Sequence, residues 1–317
     1  MGDLIVVDNL TRMFGSFTAI KDVSFSFDSG SIFGFIGPNG AGKTTTMRIL
    51  STLDIATTGD AFINGYSVID EPDKVRSMIG FMPDYYGAPK NMTIKDYLDF
   101  FARAYLLKGE KRRKSVEYVI DFMDMKKIQD KHVVTLSKGM KQRLCLGRAL
   151  IHDPKILILD EPAAGLDPRA RIELRELLKI LAERGKAILI SSHILTELSE
   201  LCDSCAIIEQ GKILSHGNVN EIQESLQLNN KSLPVISLSL LEPNEDILIH
   251  LNEIPFVEQV EEITKGKKFK LKVNGNKNQI PQILKNLIDS GYLVMEFKLE
   301  GQNLEDLFLN ITKGEVQ

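Results

Sequence analysis

Apolar and polar residues alternate over residues 4–36, with Leu4 and Val6 opening one run and Val23, Phe25 and Phe27 a second. A period of two belongs to half-buried strands, so this stretch predicts strands joined by turns, one of them at Asp28-Ser29-Gly30. Ser31 to Ile36 is a short apolar run that reads as a buried strand, followed by a helix from Thr44 to Leu50. Residues 58–66 predict a strand pair turning at Asn64-Gly65, and Ile79 to Met82 a strand entering a Pro-bearing loop that runs to Met92. From Thr93 the period becomes helical. Ile94, Tyr97, Leu98 and Phe101 share one face, Val116, Val119, Ile120 and Met123 another, and a third helix runs through Leu144 and Ala149. Ile156 to Leu159 and Ala187 to Ile190 are uninterrupted apolar runs, the signature of strands buried on both faces, and the helix around Leu174, Leu177 and Leu178 separates them. A hairpin turning at Gln210-Gly211 closes the region.

After Leu226 the polar segment Gln227 to Ser232 reads as a linker, and the pattern restarts beyond it. Strands at Ile236–Leu240, Val257–Ile263, Phe269–Val273 and Leu293–Leu299 alternate with helices at Ile247–Leu251 and Ile280–Leu287. A terminal helix is expected over Leu304–Ile311. The order β-α-β-β-α-β is that of a ferredoxin-like module. The expected organisation is thus a first domain over 1–226, with a helical subdomain at about 93–150, and an accessory α+β domain over 233–317.

Composition narrows the function. The chain has 317 residues and a formal charge of -4, without the basic excess that nucleic acid would call for. No apolar run approaches the ~20 residues that span a bilayer, and no signal-peptide pattern opens the chain. Three cysteines make no disulfide framework, so the expectation is a soluble cytoplasmic protein. Cys202 and Cys205 lack further ligands at zinc spacing and read as buried residues. The basic run Lys108 to Lys114 reads as a solvated helix start, with contact to anionic lipid heads as the other reading.

The chemistry is concentrated after the apolar runs. Gly37-Pro38-Asn39-Gly40-Ala41-Gly42-Lys43-Thr44-Thr45 matches a phosphate-binding loop between a strand and a helix. Its backbone N–H groups and helix dipole converge on one point, Lys43 reaches β- and γ-phosphates, and the Thr44 hydroxyl takes a corner of a Mg²⁺ shell. Phe14 reads either as a core aromatic or as a platform for an adenine ring. Ser137 and Gly139 stand at a helix start, where they serve as an ordinary cap or as an anion-binding end. Asp160 and Glu161 end the strand at Ile156–Leu159, the first placed to hold Mg²⁺ and the second to polarise the attacking water. His193, beyond the next strand, is in a position to touch a γ-phosphate oxygen.

In this order the motifs resemble the ATP-binding cassette (ABC) ATPases over residues 1–225. The resemblance implies a P-loop NTPase core, in which a mixed sheet carries an antiparallel β subdomain and a helical subdomain, with ATP and Mg as cofactors. It makes Phe14 the adenine-stacking aromatic and Gly37 to Thr45 the Walker A loop. Leu136-Ser137-Lys138-Gly139-Met140 takes the place of the signature Leu-Ser-Gly-Gly-Gln, Asp160-Glu161 ends Walker B, Ala164 to Asp167 is the D-loop, and His193 is the switch histidine. Asp84 stands where the family has a glutamine, and either serves the metal or faces solvent as a loop carboxylate. Lys138, Met140 and Ala164-Gly165 also depart from the pattern. The variant signature, the single cassette and the appendage are similar to those of drug, antibiotic or lipid exporters. The resemblance then implies a head-to-tail homodimer, or a heterodimer with a related ATPase, in which Ser137 and Gly139 of one copy meet the γ-phosphate held by the other. Separate transmembrane permease subunits would dock near residues 84–100 and hold the chain at the inner face of the membrane. A soluble cassette ATPase of translation or DNA repair is the competing expectation, though the tandem cassettes and long coiled-coil insertions of those groups are missing here.

Overall fold

The structure, a computed structural model, describes residues 4–84, 87, 91–194, 198, 201–218, 222, 234–274 and 280–300. The described residues divide into two compact units, those up to Ile222 and those beyond it.

The first unit is built on two sheets. Strands β1 (Ile5–Phe14), β2 (Phe17–Phe27), β4 (Thr58–Ile63) and β5 (Tyr66–Ser67) form an antiparallel sheet in the order β2-β1-β4-β5. Strands β3 (Ile32–Ile36), β6 (Ile79–Met82), β7 (Ile156–Leu159), β8 (Ala187–Ser192), β9 (Ser204–Glu209) and β10 (Lys212–Asn218) form the second, in the order β10-β9-β3-β8-β7-β6. All neighbours in it are parallel except the β9–β10 hairpin. One core joins the two sheets. The ring of Phe25 lies 5.0 Å from Phe33 and 5.5 Å from Phe35, and Phe27 lies 5.0 Å from Phe33. Such aromatic pairs each add about 0.5–1.5 kcal/mol beyond the area they bury.

One phase is corrected. The buried residues at the start of β1 are Ile5 and Val7, not Leu4 and Val6. Leu4-Ile5-Val6-Val7 is apolar in both phases, and pairing of Ile5 with Phe27 and Val7 with Phe25 selects the inward set.

Among the described residues, six α-helices precede β8. Helix α1 (Lys43–Leu50) follows β3, and α2 (Pro72–Met78), unforeseen in the sequence, precedes β6. Helices α3 (Ile94–Ala104), α4 (Gly109–Phe122) and α5 (Lys138–Leu150) lie between β6 and β7. Thr93 caps α3 reciprocally with Asp96, its hydroxyl accepting from the Asp96 N–H at 3.1 Å and its own N–H donating to the Asp96 carboxylate at 3.3 Å. Ile94, Tyr97, Leu98, Val116, Val119, Ile120 and Leu144 are buried. Helix α6 (Pro168–Glu183) joins β7 to β8, started by the Asp167 carboxylate and by proline in its first turn.

The second unit has strands β11 (Val235–Leu240), β12 (Val257–Thr264), β13 (Lys268–Val273) and β14 (Val294–Glu300) in the antiparallel order β12-β13-β11-β14. Helices α7 (Ile247–Glu253) and α8 (Ile280–Asp289) complete the ferredoxin-like order. Ile236, Leu238, Leu240, Phe269, Leu271 and Val273 alternate along two central strands into a core with Ile247, Leu251, Ile283 and Leu287. The linker at Gln227–Ser232 and the expected helix at Leu304–Ile311 lie outside the described residues. No described helix is long and apolar enough to cross a membrane.

Candidate functional site

Four parallel strands end side by side. Gly37 follows β3, His193 follows β8, Asp160 follows β7 and Asp84 follows β6 one residue after Pro83. The carboxyl edge of a parallel sheet is where ligands bind in such folds, because the chain leaves it in loops whose side chains face one crevice. Backbone bonds lace the edge together, with the Asp160 N–H donating to the Met82 carbonyl at 2.8 Å and the Gly37 N–H to the Ser192 carbonyl at 3.4 Å.

The loop from Gly37 to Thr45 delivers the N-terminus of α1. Its Gly42 is the cap residue at φ 103, and a Cβ there would lie 2.5 Å from Ile20 Cγ2 and 2.9 Å from the Ala19 carbonyl. Only glycine meets both demands. The Lys43 side chain is buried and folds over the loop, donating to the carbonyls of Gly37 at 2.6 Å and Pro38 at 3.1 Å. Its ammonium lies 3.4 Å from Glu161 Oε1. Burial pushes the Lys43 ammonium below the usual lysine range, and the Glu161 and Asp160 carboxylates oppose that shift.

Asp160 is buried and doubly hydrogen-bonded. Thr44 Oγ1 donates to Oδ2 at 2.8 Å and Ser191 Oγ donates to Oδ1 at 2.6 Å. The same Ser191 oxygen accepts from the Glu161 N–H at 2.8 Å. Glu161 adopts a left-handed φ of 47°, an uncommon and costly backbone for a non-glycine residue. Its Oε2 is 2.9 Å from His193 Nδ1, whose ring is partly exposed. Lys43, Thr44, Asp160, Glu161 and His193 are therefore one connected network.

The cleft in front of this network has a volume of about 330 Å³ and is lined by Asn39 to Thr45, Asp84 and Glu161, with Phe14 and Phe17 at its aromatic end. Phe14 is 47 % exposed and is not a core residue. Asp84 is exposed at the cleft. Among the described residues, the charged side chains that line this cleft are one ammonium, Lys43, and the carboxyl groups of Asp84 and Glu161. A polyphosphate entering this cleft needs further positive charge.

Ser137, Gly139 and Asp167 lie elsewhere. They line a second cleft of about 330 Å³ with Asp124, Lys138, Met140, Arg143 and Gly165, and none of them lines the first. Two of their polar groups are engaged as helix caps. The Ser137 hydroxyl accepts from the Met140 N–H at 3.3 Å at the start of α5, and the Asp167 carboxylate from the Ala170 N–H at 2.9 Å at the start of α6. Lys138 reaches over Gly165, which has φ 66, and a Cβ at Gly165 would land on the Lys138 ammonium. Two of the departures from the family pattern, at Lys138 and Gly165, therefore lie side by side.

Ser191 was not singled out from the sequence. A serine ending an apolar strand carries no signal of its own, and only the pairing of β7 with β8 brings it against Asp160. Phe17 was missed for the same reason, since the β1–β2 register sets it opposite Phe14. Cys202 and Cys205 are buried, which raises the Cys202 thiol well above its usual value and the Cys205 thiol to about 11. Among the described residues no three acidic, histidine or cysteine side chains gather as a metal cage.

Comparison with known proteins bears on this geometry. A family model described as ABC transporter matches residues 20–164. An uncharacterized ABC transporter ATP-binding protein of Bacillus subtilis (strain 168), YhcH, is 36% identical over 322 residues, which span 100% of this chain and 99% of that one. The linearmycin resistance ATP-binding protein LnrL of the same organism is 30% identical over 310 residues, 98% of each chain. Among solved structures, an ATP-binding subunit of an ABC transporter has 30% identity and a TM-score of 0.65, covering 71% of this chain and 94% of that chain. A second, 24% identical with a TM-score of 0.61, covers 68% of this chain and 98% of that chain, and is a dimeric post-hydrolysis cassette bound to ADP and Pi.

Proposed function

The chain belongs to the ABC transporter ATP-binding family, and we propose that it is the nucleotide-hydrolysing subunit of an exporter whose transmembrane permease is a separate polypeptide. The chain is an ATPase. The observation that carries the finer reading is the network in which one cation, Lys43, and one base candidate, Glu161, face the same cleft as the phosphate loop and Phe14.

In this reading the adenine stacks on Phe14. The triphosphate lies in the loop Gly37, Pro38, Asn39, Gly40, Ala41, Gly42, Lys43, Thr44 and Thr45, where backbone N–H groups and the α1 dipole favour negative charge. Lys43 leaves its loop carbonyls for β- and γ-phosphate oxygens, a charge-assisted exchange. Glu161 holds the attacking water and takes its proton, while His193, bonded to Glu161, orients that carboxylate beside the γ-phosphate. One Ser191 hydroxyl holds the Asp160 carboxylate and the Glu161 backbone at once.

The donor set suits Mg²⁺. Thr44 Oγ1 donates its hydrogen to Asp160, so its lone pairs remain for a hard cation, and Asp160 and Asp84 supply anionic oxygens. Magnesium so held would neutralise phosphate charge in a cleft that is otherwise acidic. With so few protein ligands, water and phosphate oxygens would complete the shell, as this ion prefers.

Ser137, Gly139 and Asp167 line the other cleft, so they serve a nucleotide only across a head-to-tail dimer, in which each copy closes the other's site. The permease would dock in the groove of about 290 Å³ formed by Ser51, Leu53, Arg76, Phe81, Phe101 and Tyr105. Leu53, Ile55, Phe100 and Leu106 are exposed apolar residues in the same segments. The reading thus adds the loop after α1 and the end of α3 to the segment 84–100, of which residues 85, 86 and 88–90 lie outside the described residues. Docking there would hold the chain at the inner face of the membrane. Export follows the resistance function printed for the relative LnrL.

The test is Glu161→Gln, which keeps every binding group and removes the base. With ATP and Mg²⁺ it should run as a dimer in size-exclusion chromatography and without ATP as a monomer. A monomer at high concentration in both conditions rejects the shared site. Co-purification of a multispanning protein from native membranes tests the permease.

A further inference from the structure

The Phe14 ring stands at the end of β1, and what backs it is Arg12, two residues earlier on the same face of the strand. The guanidinium carbon lies 4.5 Å from the ring centroid. Its Nη2 makes a 2.7 Å ion pair with Asp54 Oδ1, and both side chains of that pair are largely buried, 24% and 17% exposed. Among the described residues the buried Arg12 Nε has no hydrogen-bond partner. The guanidinium is therefore placed by the ring and the carboxylate, not by a full set of hydrogen bonds. Asp54 is itself oriented, accepting from the Ile55 N–H at 2.8 Å.

Asp54 stands just beyond the C-terminal end of α1, the helix whose other end is the phosphate loop. Two more bonds join the same places. The Met13 N–H donates to Thr57 Oγ1 at 2.9 Å, and the Thr57 N–H to the Thr11 carbonyl at 2.8 Å. Phe14 lines the nucleotide cleft, whereas Arg12 and Asp54 do not.

We propose that Arg12 is a positioning residue for the nucleotide base: clamped by Asp54, it backs the Phe14 ring and ties the base platform to the helix that carries the phosphate loop. This rests on the reading of Phe14 as the stacking aromatic. A phenylalanine half out of solvent at a strand end would otherwise sample several rotamers, and stacking would have to select one. A cation on its far face removes that freedom and sets the spacing between base and phosphate sites. The Asp54 carboxylate keeps the cation there. The contact is with the ring and not with the nucleotide, so any purine or pyrimidine triphosphate should benefit.

The experiment is calorimetric titration of the full chain with Mg·ATP and, separately, with Mg²⁺ and inorganic tripolyphosphate, which lacks the base. The variants are Arg12→Ala, Arg12→Lys, Asp54→Asn, Phe14→Ala and the double variant Arg12→Ala/Phe14→Ala. Arg12→Ala should weaken ATP about three- to fivefold, the size of an exposed cation–π contact, and leave tripolyphosphate binding as in the wild type. Arg12→Lys should recover part of the loss, Asp54→Asn should shift ATP in the same direction, and Arg12→Ala should add nothing once Phe14 is gone. Equal losses for ATP and tripolyphosphate would reduce Arg12 to a fold-supporting residue and overturn the proposal. Tighter ATP binding by Arg12→Ala would overturn it too, because the guanidinium would then be covering the stacking face. If Phe14→Ala leaves ATP affinity intact, the base-platform reading itself fails and takes this inference with it. If Phe14→Ala weakens ATP but Arg12→Ala does not, only the inference fails.

Discussion

In the phosphate-loop cleft the charged side chains bond one another, Lys43 to Glu161, Glu161 to His193 and Asp160 to Thr44 and Ser191. In the signature cleft Ser137 caps α5 and Asp167 caps α6, Arg143 of α5 pairs with Glu173 of α6, and among the described residues Lys138 has no ion pair. The first cleft is chemically organised within one chain. The second offers a helix end and a cation but nothing in the same chain for them to act on. The difference is what the proposed head-to-tail dimer would require, in which each copy's second cleft completes the other's first.

Loss of the cation at the centre of the first cleft should have the largest effect. Lys43→Ala should weaken ATP binding about a hundredfold, since charge-assisted bonds to phosphate are lost in a buried setting. Wild-type affinity in calorimetry would show that the loop does not hold the phosphates.

Ser191→Ala tests whether the acids depend on their shared hydroxyl. Phosphate release should fall about tenfold, and unfolding in denaturant should show a loss of about 1–3 kcal/mol from the uncompensated buried partners. Full turnover in this variant would mean that Asp160 and Glu161 are held by the strand ends alone.

The smallest effect belongs to the second cleft. Gly165→Ala should displace the Lys138 ammonium, a flexible chain end that yields at little steric cost. In the Glu161→Gln background, ATP-driven dimerisation should weaken about twofold, as for an exposed charge moved out of place. The same substitution made on top of Lys138→Ala should weaken it less. Equal effects in both backgrounds, read by sedimentation, would leave only the left-handed strain at Gly165.

Much of the fold could be read because the parallel strands are short unbroken apolar runs and the phosphate loop lies within nine consecutive residues. The start of β1 could not be phased, since four successive apolar residues satisfy either face. Helix α2 escaped notice because only Val75 of its seven residues is buried, too few to print a helical period. In the site, residues announced by local spacing were recognisable, as Lys43, Asp160 and Glu161 were. Residues that act through a neighbouring strand or a distant loop were not. Ser191 and the Arg12–Asp54 pair acquire meaning only when chain segments far apart in sequence are brought together, and Phe17 only when the β1–β2 hairpin sets it opposite Phe14.

The left-handed backbone at Glu161 sets stability against turnover at a single position. A glycine there would relax the turn, and asparagine would tolerate it better than glutamate does. Drift under pressure for a sturdier fold alone would therefore favour replacing the proposed base. A chain that retains glutamate on this backbone bears a standing cost in stability for as long as hydrolysis is what selection rewards.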